Sequence, residues 1–269
     1  MNQPAIYGVA GTGTVPVRKE PSDSSEMVTQ LLLGETVVIN KSHNVWRHVR
    51  ADFDGYSGWV SAGQIREITP EEYHQWIFHP NRTRIPNRTR LAKGPSDRFL
   101  QVPPGAFIPT NDQKVEWFGQ DYVFQSEPLS LKGDSILETA KQFLGISYLW
   151  GGRTDTGLDC SGFVQTVHML HGIDLPRDSR DQYESGELRG KELDRAEKGD
   201  VIFFRYKDRP VSHIGFYLGE GLLLHASSLV RINQIDITKK NSSEFPYHAA
   251  LAEGIVGIVR PFKPKPTSP

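Results

Sequence analysis

Cys160 is the one cysteine in a chain of 269 residues, and it stands in "GRTDTGLDCSGF" between an aspartate and a serine, with glycines on both sides. A thiol in that setting is a small buried side chain, a metal ligand or a nucleophile. The apolar residues Phe163, Val164, Val167 and Leu170 that follow recur on one helical face, and Gly172 closes the run. The spacing predicts a helix beginning at or beside Cys160, where unpaired backbone N–H groups and the helix dipole favour a thiolate. The same N–H groups suit charge developing on a carbonyl oxygen. A structural cysteine would more naturally occupy the apolar stripe itself.

A thiol nucleophile needs a base. His213 opens a strand-like run in "SHIGFYLG", and His225 lies twelve residues later in "LLLHASS". Strand alternation puts His213, Gly215 and Tyr217 on one face. A hairpin through "GEG" brings the two imidazoles together, one as base and the other as the group that orients it. The other histidines, among them His168 and His171 on the helix and His43 and His48 upstream, read as surface or packing residues. A Cys/His/His zinc site is the chemical competitor, because those ligands occur in open catalytic sites. No second cysteine or compact ligand cluster supports it, so neither a metal nor any other cofactor is expected.

The elements that must position these groups follow from the patterning. Ser135 and Glu138 form a capping box ahead of a helical stripe of Ile136, Leu137, Ala140 and Leu144. After the cysteine helix, "DVIFF", "HIGFYL", "LLLHA" and "GIVGIV" read as strands, and helices followed by consecutive strands indicate an α+β domain. Upstream, to about Ile68, short apolar runs broken by turns ("VPVR", "MVTQLLLGE", "TVVI", "VWRHV", "SGWV") predict a small, strongly bent β-barrel. Thr69, Pro70 and Glu72 mark a helix start, and the helix stops by Pro80. A second β-rich stretch runs from 81 to 125, where "KGPSD" at 93 to 97 echoes "KEPSD" at 19 to 23, and it reads as a second, related barrel.

Composition narrows the function classes. With 31 basic and 32 acidic residues the formal net charge is -1, which gives no footprint for nucleic acid. A single cysteine excludes an internal disulfide framework. No stretch is long and apolar enough for a membrane span, the first residues lack the features of a signal peptide, and a cytoplasmic location is expected.

The residues also carry a resemblance. "YLWGGRTDTGLDCSGF" resembles the cysteine motif of the NlpC/P60 family of papain-like cell-wall peptidases, "GDVIFF" its strand entry, and "SHIGFYLGEGLLLHASS" its two-histidine segment. The matches cover most of 131–263. "VPVRKEPSDSSEMVTQLLLGE" and "GYSGWV" are similar to bacterial SH3-like domains. The resemblance implies a multidomain fold of two small SH3-like β-barrels followed by an α+β papain-like NlpC/P60 domain. The expected boundaries are 1–68 for the first barrel, 69–80 for a helical linker, 81–127 for a divergent second barrel, 128–263 for the peptidase domain and 264–269 for a flexible tail.

It implies Cys160 as nucleophile, His213 as base and His225 as orienting residue. The whole arrangement resembles the cytoplasmic γ-D-glutamyl-L-diamino acid endopeptidases that recycle murein peptides. The expected partner is then a small murein peptide such as L-Ala-γ-D-Glu-diamino acid, with a free N-terminal L-alanine, and the product is L-Ala-D-Glu. Alternatives are a secreted hydrolase or amidase of intact wall, or a non-catalytic wall-binding module. In that setting Asp159 would hold the alanine amine, with Ser161, Asp178 and Ser179 in the same subsites. Arg177 would take a substrate carboxylate, Trp150 would wall the pocket, and Tyr148 would stand with the Cys160 N–H at the oxyanion site. Glu35 and Tyr56 of the first barrel would close the amine pocket.

Overall fold

The structure, a computed structural model, describes residues 5–86, 88–92, 99–110, 114–124, 132–206 and 209–260. The "KGPSD" echo and the tail lie outside these residues. The chain divides into two compact units, Met1–Leu131 and Lys132–Pro269.

The N-terminal unit begins with β1 (Ile6–Ala10), β2 (Thr14–Arg18), β3 (Met27–Leu32), β4 (Thr36–His43), β5 (Trp46–Ala51), β6 (Ser57–Ser61) and β7 (Ile65–Ile68). Alternation of buried and partly exposed residues along β2, with Val15 and Val17 inward, is what a sheet with one covered face requires. The strands form one sheet in the order β3-β2-β6-β5-β4-β1-β7. Helix α1 (Pro70–Ile77) starts on the expected capping box: the Thr69 hydroxyl accepts from the Glu72 N–H, and the Glu72 carboxylate accepts from the Thr69 N–H. Then come β8 (Arg82–Arg84), β9 (Thr89–Ala92), β10 (Phe99–Val102), β11 (Phe107–Pro109), β12 (Lys114–Glu116) and β13 (Asp121–Phe124).

The fold overturns the expectation of two small barrels. The first sheet is open, with β3 and β7 as its edges, and β2 meets β6 through the single pair Arg18↔Trp59. The second stretch forms an open four-stranded sheet, β10-β9-β13-β12, and a separate pair, β11-β8. It has no core of its own among the described residues: Ile85, Leu91, Val102 and Ile108 are buried in one cluster with Val9, Leu33 and Ile68 of the first stretch, around Trp76 and Trp117. Apolar surface that a lone barrel would bury internally is shared across both stretches.

The C-terminal unit opens with α2 (Ile136–Lys141), capped by Ser135 and Glu138 as the sequence predicts. A short hairpin, β14 (Arg153–Thr154) and β15 (Gly157–Leu158), leads into α3 (Cys160–Leu170), followed by α4 (Ser179–Ser185). The remaining elements are β16 (Glu187–Gly190), β17 (Val201–Tyr206), β18 (Arg209–Gly219), β19 (Leu222–Ser227), β20 (Leu229–Gln234), α5 (Ala249–Glu253) and β21 (Ile255–Arg260). Six strands make an antiparallel sheet ordered β16-β21-β17-β18-β19-β20. Helix α3 is buried along its whole length. It lies on β18 through Phe163 against Phe216, with ring centroids 5.4 Å apart, and touches the turn after α2 through Phe143. Among the described residues no helix is long and apolar enough to cross a membrane.

Candidate active site

The cysteine opens α3, and Asp159 before it is the helix N-cap. The Asp159 carboxylate accepts from Gly162 N at 2.6 Å and from Gly151 N at 2.9 Å, tying the preceding glycine loop to the helix. Gly162 lets that loop approach, since a β-carbon there would meet the Gly152 carbonyl. Arg177 grips the same carboxylate with two nitrogens, at 3.1 and 2.5 Å, and donates to the Ser161 hydroxyl at 2.9 Å. Ser161 in turn donates to Asp159 at 3.3 Å. This buried cluster compensates each charge with its partner and clamps the first turn of α3.

The Cys160 sulfur lies under the backbone N–H groups of Ser161 and Ile214. Ile214 follows His213, so packing α3 on β18 brings the thiol to the residue next to the expected base. Burial pushes the thiol pKa up to about 12, and the Asp159 carboxylate adds to the rise; Arg177 and the two amides oppose it without prevailing. The helix N-terminus therefore does not produce a resting thiolate, because loss of solvation outweighs the amides.

On the sheet, Gly215 of β18 stands opposite His225 of β19, which places His213 and His225 on one face. Their rings meet: His213 Nε2 is 2.7 Å from His225 Nδ1. His225 Nε2 is 3.0 Å from Asn233 Oδ1, and Asn233 Nδ2 donates to the Pro246 carbonyl at 2.8 Å. That last bond fixes every proton in the chain. A carbonyl only accepts, so the Asn233 amide is oriented with its oxygen toward His225. His225 must then donate from Nε2 and accept at Nδ1, and His213 must donate from Nε2. His213 Nδ1 is left with a lone pair. Burial, with His225, His248 and Arg231 adding to it, drives the His213 pKa down to about 3. Burial also drives His225 down to about 4, against the Asn233 bond and with Arg231 and His248 assisting. Both rings are neutral at neutral pH. The arrangement thus holds a buried thiol, an imidazole with an open nitrogen and a buried chain that sets its tautomer.

Among the other expected site residues, Tyr148 is half-buried, and burial followed by the proximity of Cys160 raises its hydroxyl pKa above the usual tyrosine value. Trp150 is 52% exposed. Arg177 is buried on Asp159 rather than presented to solvent. Asp178 is exposed at the N-cap of α4, and Ser179 opens that helix half-buried. Glu35 and Tyr56 lie in the N-terminal unit. Glu35 is buried, accepts from Leu32 N at 3.0 Å and pairs with Arg84 at 3.5 Å. Tyr56 is half-buried, with its N–H on Asp54 Oδ1 at 3.0 Å. His168 is a packing residue: it is stacked on Phe216 and bonded through Nδ1 to the Val164 carbonyl at 2.8 Å. Among the described residues no three His, Cys, Asp or Glu are grouped to hold a metal ion.

Sequence reading missed two positioning residues. Asn233 alternates with Arg231 in "LVRINQ", so both face the histidines, a signal visible only once β19 and β20 are known to pair. Gln182 of α4 donates to the Ser161 and Pro176 carbonyls at 3.1 and 2.8 Å, pinning α4 to the nucleophile's turn.

Residues 145–250 match the NlpC/P60 family, and residues 17–65 match a bacterial dipeptidyl-peptidase Sh3 domain. The second match ends at 65, so the chain carries a single SH3b domain before its α+β domain, and the two-barrel expectation fails on this count as well. The chain is 32% identical over 213 residues to the γ-D-glutamyl-L-lysine dipeptidyl-peptidase of Bacillus subtilis, covering 74% of this chain and 71% of that protein. It is 24% identical over 263 residues to dipeptidyl-peptidase 6 of Lysinibacillus sphaericus, covering 89% and 93%. Among solved structures, an NlpC/P60 family protein from Bacillus cereus superposes with a TM-score of 0.75 at 21% identity, over 94% of this chain and 99% of that one.

Proposed function

The chain belongs to the NlpC/P60 family of cysteine peptidases, and from that premise we propose that it hydrolyses the γ-D-glutamyl bond to a diamino acid in short murein peptides, releasing L-Ala-D-Glu. The observation that carries the reading is the proton-ordered chain His213–His225–Asn233, which leaves an open imidazole nitrogen on the strand that supplies an amide to the Cys160 sulfur. The bond assignment is supported by similarity to a protein named for γ-D-glutamyl-L-lysine.

In the reaction, His213 Nδ1 takes the thiol proton as Sγ bonds to the γ-carbonyl carbon. The oxyanion receives the Cys160 N–H, which as the first in its helix has no intrahelical acceptor, and the Tyr148 hydroxyl. Tyr148 stays protonated because its pKa is raised, so it acts as a donor throughout. The C–N bond then breaks, and the leaving amine takes the proton from His213. Water adds to the thioester carbon, passing a proton to His213, which returns it to the sulfur as L-Ala-D-Glu departs. Asp178 and Ser179 at the start of α4, with the exposed Trp150, bind the acyl part. Asp178 holds the alanine ammonium, and Asp159 and Arg177 hold the helix.

The test is incubation with L-Ala-γ-D-Glu-L-Lys and its diaminopimelate counterpart. The native enzyme releases L-Ala-D-Glu, and Cys160→Ala does not, with an unchanged melting temperature. Retained turnover in C160A refutes the mechanism, and equal cleavage of the N-acetylated peptides reassigns the enzyme to intact wall.

A further inference from the structure

The mechanism leaves one cation beside the histidines unused. Arg231 of β20 is in direct register with His225 of β19, so the two side chains rise from the same face of the sheet as His213 and Asn233. Five other arginines of this unit, Arg177, Arg180, Arg189, Arg195 and Arg260, each hold a carboxylate. Among the described residues none pairs with Arg231, and its Nε is shut off from solvent without a hydrogen-bond partner. A guanidinium in that state is a fork suited to an anion.

Its position says which anion the reaction can bring. The nitrogen released by the reaction must take its proton from His213, so the residue bonded to that nitrogen lies on the histidine side of the thiol. Arg231 is on the same side, next to His225. In any peptide that ends at this residue, a carboxylate sits one carbon from the leaving nitrogen; diaminopimelate carries a second on its side chain. We infer that Arg231 forms a carboxylate subsite for the leaving residue, and so selects peptides by negative charge on the amine side of the scissile bond. The electrostatics agree: after burial, Arg231 and His248 both oppose protonation of His213 and His225. His248, whose ring centroid is 6.4 Å from that of His225, is the other titratable group there. An anion arriving with the substrate offsets Arg231 at the step that needs an imidazolium.

This inference rests on the peptidase reading. The experiment compares native enzyme, Arg231→Gln and Arg231→Lys on L-Ala-γ-D-Glu-L-Lys, its C-terminal carboxamide, and L-Ala-γ-D-Glu-diaminopimelate with the main-chain carboxyl amidated. The R231Q variant is expected to lose about 10- to 100-fold in kcat/KM on the lysine acid and little on its amide, with R231K between. Sensitivity of the amidated diaminopimelate peptide to R231Q identifies the side-chain carboxylate as a source; insensitivity confines the subsite to the main-chain group. Identical acid-to-amide ratios in native enzyme and R231Q overturn the inference alone. So does a loss that follows amidation of the D-glutamyl carboxyl instead. No turnover of any peptide by the native enzyme refutes the peptidase reading, and the subsite with it.

Discussion

Replacing Asn233 by alanine tests whether the buried hydrogen-bond chain sets the chemistry at its far end. Asn233 is buried, and its amide bridges His225 Nε2 at 3.0 Å and the Pro246 carbonyl at 2.8 Å. Without it the His225 Nε2–H has no acceptor inside a residue of 0% exposure, a loss of about 1–3 kcal/mol. The ring escapes by carrying its proton on Nδ1. That nitrogen faces His213 Nε2 at 2.7 Å, so His213 must accept there and hold its own proton on Nδ1, the atom that should take the thiol proton. With about 1.4 kcal/mol per decade, kcat falls about 10- to 100-fold. KM stays level because Asn233 is assigned no substrate contact. Asn233→Asp keeps the acceptor, loses the bond to Pro246, and recovers most of the rate. Steady-state kinetics on the lysine tripeptide give the split, and nitrogen NMR of the His213 ring reports the tautomer directly. Native kcat in N233A, or an equal loss in N233D, refutes this ordering of protons.

Two further outcomes follow from the buried charges. The kcat/KM profile should stay level as pH falls through 6.5, where an ordinary histidine protonates, because burial holds His213 and His225 down to about 3 and 4. Stability moves with the same groups and His168, itself held down to about 4. Their folded pKa values lie below the unfolded one, so their contribution is whole above 6.5 and is lost as pH falls toward 4 and 3, while the unfolded chain takes up protons the native chain refuses. An acid limb of kcat/KM near 6.5 would contradict this. Arg177→Leu strips a buried carboxylate of its partner and should destabilise the protein by about 3–5 kcal/mol in urea unfolding, with part recovered by adding Asp159→Asn; a loss below about 1 kcal/mol shows that Asp159 does not depend on the fork.

What could be read along the chain was local. The stripe after Cys160 and the alternation around His213 and His225 repeat within a few residues, so helix α3 and the β18–β19 hairpin were legible. The charge state of the thiol was not, because the helix N-terminus is visible in the sequence whereas burial arises only when β18 covers it. The partner of Arg177 was not legible for a similar reason: nothing near it in sequence points to Asp159, eighteen positions away. Barrel closure is the least local property. Short strands and turn residues look alike in an open and a closed sheet, and the difference lies in whether the β3 and β7 edges pair. The cluster around Trp76 and Trp117 joins the second β-rich stretch to part of the first, so among the described residues the second has no core of its own, while Val15, Val17, Val37, Val49 and Val60 of the first pack in a separate cluster.

The pKa values of the proposed nucleophile and base are displaced in opposite directions, the thiol upward and the imidazole downward, and that separation bears on selectivity. Burial opposes a thiolate–imidazolium pair at rest. Proton transfer becomes accessible only when the developing charges are met. In the proposed reaction, negative charge passes from the sulfur to the carbonyl oxygen, where the Cys160 N–H and Tyr148 would receive it. Positive charge stays on His213 and His225, beside Arg231, which opposes it. A substrate that delivers a carboxylate to Arg231 removes that opposition for as long as it is bound, whereas a neutral analogue leaves it in force. Discrimination by charge then falls on the protonated state formed during reaction, so it should register in kcat as well as in KM.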